Sequence, residues 1–337
     1  MSKEAITIRY QTAFIINPKA GGGRSLRVWQ QLEPLLRMGR GKYRVHYTRY
    51  SGDGTNIAAK LRADGAELIV GVGGDGTLQE IVNGIDLKKN IFGIIPAGTG
   101  NGFRRSLKIP GNAVKALEGI SKWEPRQIDL GMINGYYFLN VVGFGLDAAV
   151  AKQACVDSRI LRGYPAYVGA FLTKLARFNS FSLTVQCDDA IMHEENTLLA
   201  VISNGCYYGG QLCVAPQARL DDGRLNLSII RETKYLQTIA LVVRAFFRKH
   251  LSHGAVNTAP ATELEIKAAE NIPVHIDGEI KGSLPAKIKV CPGVLTILAP
   301  PPVEAAVQTG VETQPAALIN RTEGGRPFPA WRSDHFR

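Results

Sequence analysis

Glu67-Leu68-Ile69-Val70-Gly71-Val72-Gly73-Gly74-Asp75-Gly76-Thr77-Leu78-Gln79-Glu80-Ile81-Val82 decides the fold. The run from Glu67 to Val72 has the β-branched composition of a buried strand, and Leu78 to Ile85 has helical spacing. Between them lies a turn, Gly73 to Thr77, in which three of five residues are glycine. Strand, glycine loop and helix in that order are the half-unit of a parallel α/β sheet, whose ligands bind at the carboxyl ends of the strands.

Working outward, Thr12 to Ile16, Tyr43 to Arg49 and Ile91 to Ile95 also read as strands, and Ser25 to Leu36 and Asn56 to Ala63 as helices. The first part of the chain is therefore expected to be α/β with a parallel sheet. From about Ile128 the texture changes to closely spaced strands. They are expected at Tyr137 to Val142, Phe181 to Gln186, Leu198 to Ser203, Arg224 to Ile230, Thr262 to Lys267, Pro273 to Ile276, Lys287 to Val290 and Val294 to Leu298. Helical interruptions fall around Tyr164 to Phe178 and Tyr235 to His250. This predicts a β-rich second domain, an antiparallel sandwich. The expected division is 1–127, 128–300 and a disordered tail over 301–337, which follows three prolines and lacks periodicity.

Two further glycine loops follow predicted strands: Asn17-Pro18-Lys19-Ala20-Gly21-Gly22-Gly23 and Pro96-Ala97-Gly98-Thr99-Gly100-Asn101-Gly102. Glycine loops present backbone N–H groups to phosphate oxygens, and a following helix adds its positive N-terminus. Three on one edge point to a polyphosphate site. Gly71, Gly73 and Gly76 spell G-x-G-x-x-G, but after the third strand and with no acid near Pro96 to Gly98, which argues against a dinucleotide-binding dehydrogenase. The single Gly-Lys pair, Gly41-Lys42, precedes Tyr43, which argues against a P-loop nucleotide hydrolase. Asp75 is out of place among phosphate-binding glycines unless it meets a divalent cation, accepts a proton, or caps the helix beginning near Thr77.

Gly73-Gly74-Asp75-Gly76-Thr77 with Glu80 resembles the GGDGT-x-x-E motif of the diacylglycerol kinase catalytic-domain family, which includes bacterial lipid kinases and sphingosine kinases. The likeness continues in family order through Asn17-Pro18, Pro96-x-Gly98-Thr99-x-Asn101, Asp129-Leu130-Gly131 and Asn140 to Ala148. It runs on through Asn204-Gly205, Ala215-Pro216 with Asp221-Asp222-Gly223, and Asp277-Gly278-Glu279. The resemblance implies the two-domain architecture shared with NAD kinases, ATP with Mg²⁺ as donor, and a lipid hydroxyl as acceptor. It implies nucleotide contacts at Asn17, Thr48, Gly73, Gly74, Asp75, Gly76, Thr77, Leu78, Gln79, Glu80, Gly98, Thr99 and Asn101. It also implies a Mg²⁺ held by the Asp222 carboxylate with backbone oxygens of Arg219 and Arg224, and a catalytic set of Asp75, Asp277 and Glu279, the last two supplying the general base. In one departure, Gly102 stands where diacylglycerol kinases usually carry an aspartate, a feature shared with sphingosine-kinase-like members.

Lys and Arg number 40 against 29 Asp and Glu, a net charge of +11 that suits nucleotide phosphate and an acidic membrane surface. No aromatic-interleaved motif for nucleic acid is present. Seven Arg or Lys lie between Arg24 and Arg49, and Tyr235 to Leu251 pairs an apolar body with Arg244, Arg248 and Lys249. Met1 to Tyr10 lack the order of a secretory signal and no run is long enough to span a bilayer, so the expected location is cytoplasmic, peripheral at the inner membrane face. The five scattered cysteines are expected as reduced thiols. Exposed strand edges in the second part would permit a homodimer. A kinase of a soluble acceptor, with an NAD-kinase-like loop, and a non-catalytic lipid- or nucleotide-binding protein are the competing functions.

Overall fold

The computed structural model describes residues 5–150, 169, 171, 173–209 and 212–302. Its first part alternates β1 (Thr12–Ile16), α1 (Ala20–Met38), β2 (Tyr43–Tyr47), α2 (Asp53–Ala63), β3 (Leu68–Gly73), α3 (Asp75–Val82), β4 (Ile91–Pro96), α4 (Gly102–Ser106) and α5 (Ala113–Lys122). β1 pairs in parallel with β2 and β3, and β3 with β4, so all four carboxyl ends share one edge. Every residue of β1 and β3 is buried, because helices cover both faces, and this is why these strands read as unbroken apolar runs. Phe14, Trp29, Leu32, Phe92 and Phe103 fill the core between them.

The second part contains β5 (Pro125–Ile133), β6 (Tyr136–Phe138), β7 (Val141–Gly145), β8 (Phe181–Cys187), β9 (Ala190–Ser203), β10 (Tyr207–Tyr208), β11 (Leu212–Cys213) and β12 (Leu225–Arg231). It continues with α6 (Tyr235–Phe246), β13 (Val256–Ala261), β14 (Glu263–Ala268), β15 (Pro273–Ile276), β16 (Glu279–Ser283) and β17 (Ala286–Leu298). These strands pair antiparallel around a second apolar core that includes Phe144, Val185, Ile202, Leu227 and Ile266. A parallel α/β part followed by an antiparallel β-rich part is the architecture the sequence predicts. β17 joins them: it pairs antiparallel with β14 and β5 and meets β4 in parallel at Ile297–Phe92. The dividing line expected at 127/128 falls inside β5.

Several expectations are corrected. Tyr137 to Val142 is two strands, broken at Leu139-Asn140, whose N–H groups turn to the Asp277 carboxylate. The two strands expected at Lys287 to Val290 and Val294 to Leu298 are one, β17, with its pairing to β5 interrupted where Gly293 N–H turns to Asp129. α2 and α3 each start three residues earlier than the apolar spacing implies, because their first turns are polar. α5 is not among the expected helices; Asn112 caps it by accepting from the Val114 and Lys115 N–H groups at 3.0 and 3.1 Å. Cys206 and Cys213 are not reduced thiols. Pairing of β10 with β11 brings their Cα atoms to 5.4 Å, within disulfide reach, and they are bonded. Cys155, residues 303–337 of the tail expected over 301–337, and residues 164–168, 170 and 172 of the helix expected at Tyr164 to Phe178 lie outside the described residues. Among the described residues no helix is long and apolar enough to cross a membrane.

Because Ile297 is fully buried where β17 meets β4, Ile297→Ala is expected to cost about 2–5 kcal/mol, read as a lower urea midpoint in equilibrium unfolding.

Candidate active site

The three glycine loops meet at the carboxyl edge of the parallel strands. Gly21, Gly22 and Gly23 run through the left-handed region at φ 59, 66 and 86°, a path open to glycine, before the regular part of α1 begins. Gly98 lies so close to the Gly74 Cα that a side chain there has no room. The Gly73 carbonyl accepts the N–H groups of Ala97 and Gly98 at 2.8 and 3.0 Å, fastening the second loop to the third. Asn17 Nδ2 donates to Thr77 Oγ1 at 3.0 Å, fastening the first to the second. Asn101, itself at φ 54°, closes the third loop by bonding both the N–H and the carbonyl of Gly98. The outcome is a rigid floor on which the first turn of α3, Asp75 to Thr77, presents its N–H groups.

Asp75 does cap a helix, but not its own. Its Oδ2 and Oδ1 accept the Gly102 and Phe103 N–H groups at 2.8 and 3.0 Å, so it holds the start of α4. Burial pushes its pKa up against these bonds and the nearby Arg104 and Arg105. At position 102 the backbone N–H faces Asp75, and a Cβ there would sit 3.2 Å from the Tyr207 carbonyl oxygen, a tight approach. Glu80 is likewise occupied, accepting from the Gly52 and Gly54 N–H groups at 2.8 and 3.0 Å at the start of α2. Leu78 packs in the core beside Gly71. Gln79 is fully buried, with neither side-chain polar atom bonded to a described group. Thr48 is buried at the end of β2, its N–H bonded to Ile16. Thr99 is exposed on the third loop.

Across from this floor stands the turn between β15 and β16. Asp277, at φ 48°, accepts three backbone N–H groups: Leu139 at 2.7 Å, Asn140 at 2.8 Å and Val141 at 3.0 Å. Burial nevertheless raises its pKa to about 6, and the charge of Asp75 adds to the rise. Both Asp277 oxygens are thus engaged by backbone N–H groups. Glu279 differs. Its side chain is 42 % exposed, Oε1 lies 3.4 Å from where a Cβ on Gly76 would be, and Oε2 is 3.4 Å from Lys281 Nζ. It is the carboxylate that reaches the floor with its oxygens clear of backbone N–H bonds.

The structure adds residues that the motifs did not reveal. Arg104 and Arg105, on α4 beside Asp75, have buried Nε groups without a described partner and supply positive charge at the floor. Their adjacency in an arginine-bearing helix after a glycine loop was the available signal. His275 is fully buried. Its Nε2 bonds Asp147 Oδ2 at 2.5 Å, its Nδ1 accepts the Gly278 N–H at 3.3 Å, and Tyr208 stacks on its ring. The Gly278 contact makes Nδ1 the acceptor and Nε2 the donor. Nothing in a lone histidine two residues before Asp277 announces this.

The Arg219-Asp222-Arg224 set stands apart. Asp222 Oδ1 accepts the Arg224 N–H at 3.1 Å, and the turn hangs on Asp129, which accepts the Gly223 and Gly293 N–H groups, both at 2.7 Å. Burial, with the charges of Asp129 and Asp221 adding, raises the Asp222 pKa. Two acids in one turn, Asp221 and Asp222, and all-oxygen donors fit a hard cation that keeps most of its water, though the one open carboxylate gives no closed cage; among the described residues no three His, Cys, Asp or Glu cluster. The hydrogen bonds of this turn run to Asp129, not to the glycine loops.

Comparison with known proteins follows the same division. Residues 11–133 match the family described as diacylglycerol kinase catalytic domain, and 140–299 the family described as YegS C-terminal NAD kinase beta sandwich-like domain. A diacylglycerol kinase of Staphylococcus carnosus is 28 % identical over 283 residues, covering 83 % of this chain and 92 % of that protein. A diacylglycerol kinase of Bacillus subtilis is 29 % identical over 247 residues, covering 72 % and 81 %. A crystal structure of a diacylglycerol kinase from Bacillus anthracis superimposes with a TM-score of 0.73 at 25 % identity, covering 88 % of this chain and 99 % of that one.

Two outcomes are expected of the acids in this cleft. Asp277 binds its proton more tightly folded than unfolded, so the stability it contributes is full below about pH 4 and is lost as the pH rises through about 6. In Asp277→Asn that component of the pH dependence should vanish from unfolding curves. His275→Leu should leave Asp147 without its donor and lower stability by about 1–3 kcal/mol in urea titration.

Proposed function

Since the chain belongs to the diacylglycerol kinase catalytic-domain family and is a lipid kinase, we propose that it transfers the γ-phosphoryl group of ATP to a hydroxyl of a membrane lipid, with Glu279 as the general base. The position of Glu279 carries this assignment: its open carboxylate stands over Gly76 on the floor where a phosphate would lie. An alcohol attacks phosphorus only as it loses its proton, and a carboxylate within hydrogen-bond reach takes it. The bond from the lipid oxygen to the γ-phosphorus forms, the bond from that phosphorus to the β-bridging oxygen breaks, and ADP leaves.

The other residues bind and orient. The first-turn N–H groups of α3 and the Thr99 hydroxyl meet the phosphates, and Arg104 and Arg105 balance their charge. Mg²⁺ accompanying ATP would neutralise the moving phosphoryl group, and a second cation at Asp222 would brace the 219–224 turn. Asp75, Glu80 and Asp277 act through the backbone: they fix α4, α2 and the β6–β7 junction. The site works at the cytoplasmic face of a membrane, where donor and acceptor coexist.

Purified protein given labelled ATP, Mg²⁺ and a total lipid extract is expected to label a lipid; label confined to a soluble acceptor such as NAD would overturn the lipid acceptor. Glu279→Gln should lower transfer by about 10²–10⁴-fold while ATP binding, followed with a fluorescent analogue, stays within a few-fold. Near-normal turnover would remove Glu279 from the role of base.

A further inference from the structure

α6 is apolar on the wrong side. Thr238, Leu241 and Ala245 form its buried stripe, at 2, 3 and 7 % exposure. The opposite face of an ordinary surface helix carries polar residues. Here Leu236, Val243 and Phe247, spaced seven and four residues apart and so aligned on one face, are 77, 50 and 69 % exposed, with Tyr235 at 43 % beside them. Arg244 is the one charged residue in the whole span Tyr235–Phe246. Cations sit at the ends instead: Lys234 before the helix, and Arg248 and Lys249 after it, all exposed, with Glu232 as the nearest acid in sequence, bonded to Ser180.

The geometry points to this face as a docking surface for an anionic bilayer. Apolar side chains on a helix lying flat enter the acyl boundary, while Lys and Arg at the rim meet lipid phosphates. A polar protein partner would not suit four large apolar groups, and the basic rim selects a negatively charged surface. The placement serves the cleft. Arg248 donates to the Tyr207 hydroxyl at 2.8 Å, the Tyr207 backbone abuts Gly102, and Gly102 N–H is held by Asp75. One short chain of contacts therefore joins the end of α6, through the β10–β11 hairpin, to the floor of the site. The inference rests on the lipid-kinase reading for its purpose, but not for its test.

That test is vesicle flotation without nucleotide, with the wild type and the triple variant Leu236→Ser, Val243→Ser, Phe247→Ser, none of which belongs to the catalytic machinery. The wild type is expected to float with phosphatidylcholine vesicles containing phosphatidylglycerol and far less with phosphatidylcholine alone. The triple variant, melting at the wild-type temperature because these side chains are exposed, should bind the anionic vesicles about tenfold or more weakly. Arg244→Glu with Lys249→Glu should lose the preference for anionic lipid. Equal flotation of wild type and triple variant, or no flotation of the wild type, overturns the proposal. So does a wild-type dimer in sedimentation that the triple variant dissociates, since the face would then be covered by a second copy. A kinase assay on detergent-dispersed lipid, unchanged in the triple variant, separates failure of docking from failure of the catalytic assignment.

Discussion

Two partly buried carboxylates, each satisfied by backbone N–H groups from a distant segment, are the constraint on which the cleft depends. Asp75 closes onto Gly102 and Phe103, and Asp277 closes onto Leu139, Asn140 and Val141. A buried carboxylate is costly unless its lone pairs are filled, so each acid fixes its partner segment far more firmly than an apolar contact would. Burial raises the pKa of both acids, and the charge of Asp75 adds to the rise at Asp277, so the hydrogen bonds that hold the cleft work against the cost of ionisation.

That constraint explains why acids of similar appearance divide their work. Asp75, Glu80 and Asp277 sit in motifs that suggest chemistry, yet their oxygens are taken up in holding helix starts and a strand junction. Glu279, one residue beyond Gly278, faces the cleft with its oxygens clear of the backbone. His275 supports the same turn from behind: Asp147 orients the ring, and the ring accepts the Gly278 N–H. The β15–β16 hairpin thus carries a supporting histidine, an aspartate bonded to backbone and an open glutamate within five residues.

The β10–β11 hairpin has a comparable role at the side of the cleft. Its disulfide closes two very short strands, Tyr208 lies on His275, and Tyr207 stands between Gly102 and Arg248. A surface element carrying an apolar, basic-rimmed helix is in this way in contact with the floor of glycine loops.

The sequence by itself determined the parallel strands, the glycine loops and the order of the two parts, because these depend on local periodicity and on backbone turns that glycine permits. The family motifs also named Asp75, Asp277 and Glu279. Strands interrupted for the sake of a distant carboxylate escaped: β6 and β7 at Asn140, and β17 near Gly293. So did the Cys206–Cys213 bond, the Asp147–His275 pair and the partnering of Asp75 with α4. Only the tertiary structure decided which acids hold the backbone and which one keeps its oxygens clear of it. The reason is physical: a carboxylate's role is set by which N–H groups fill its lone pairs, and those come from residues up to 164 positions away.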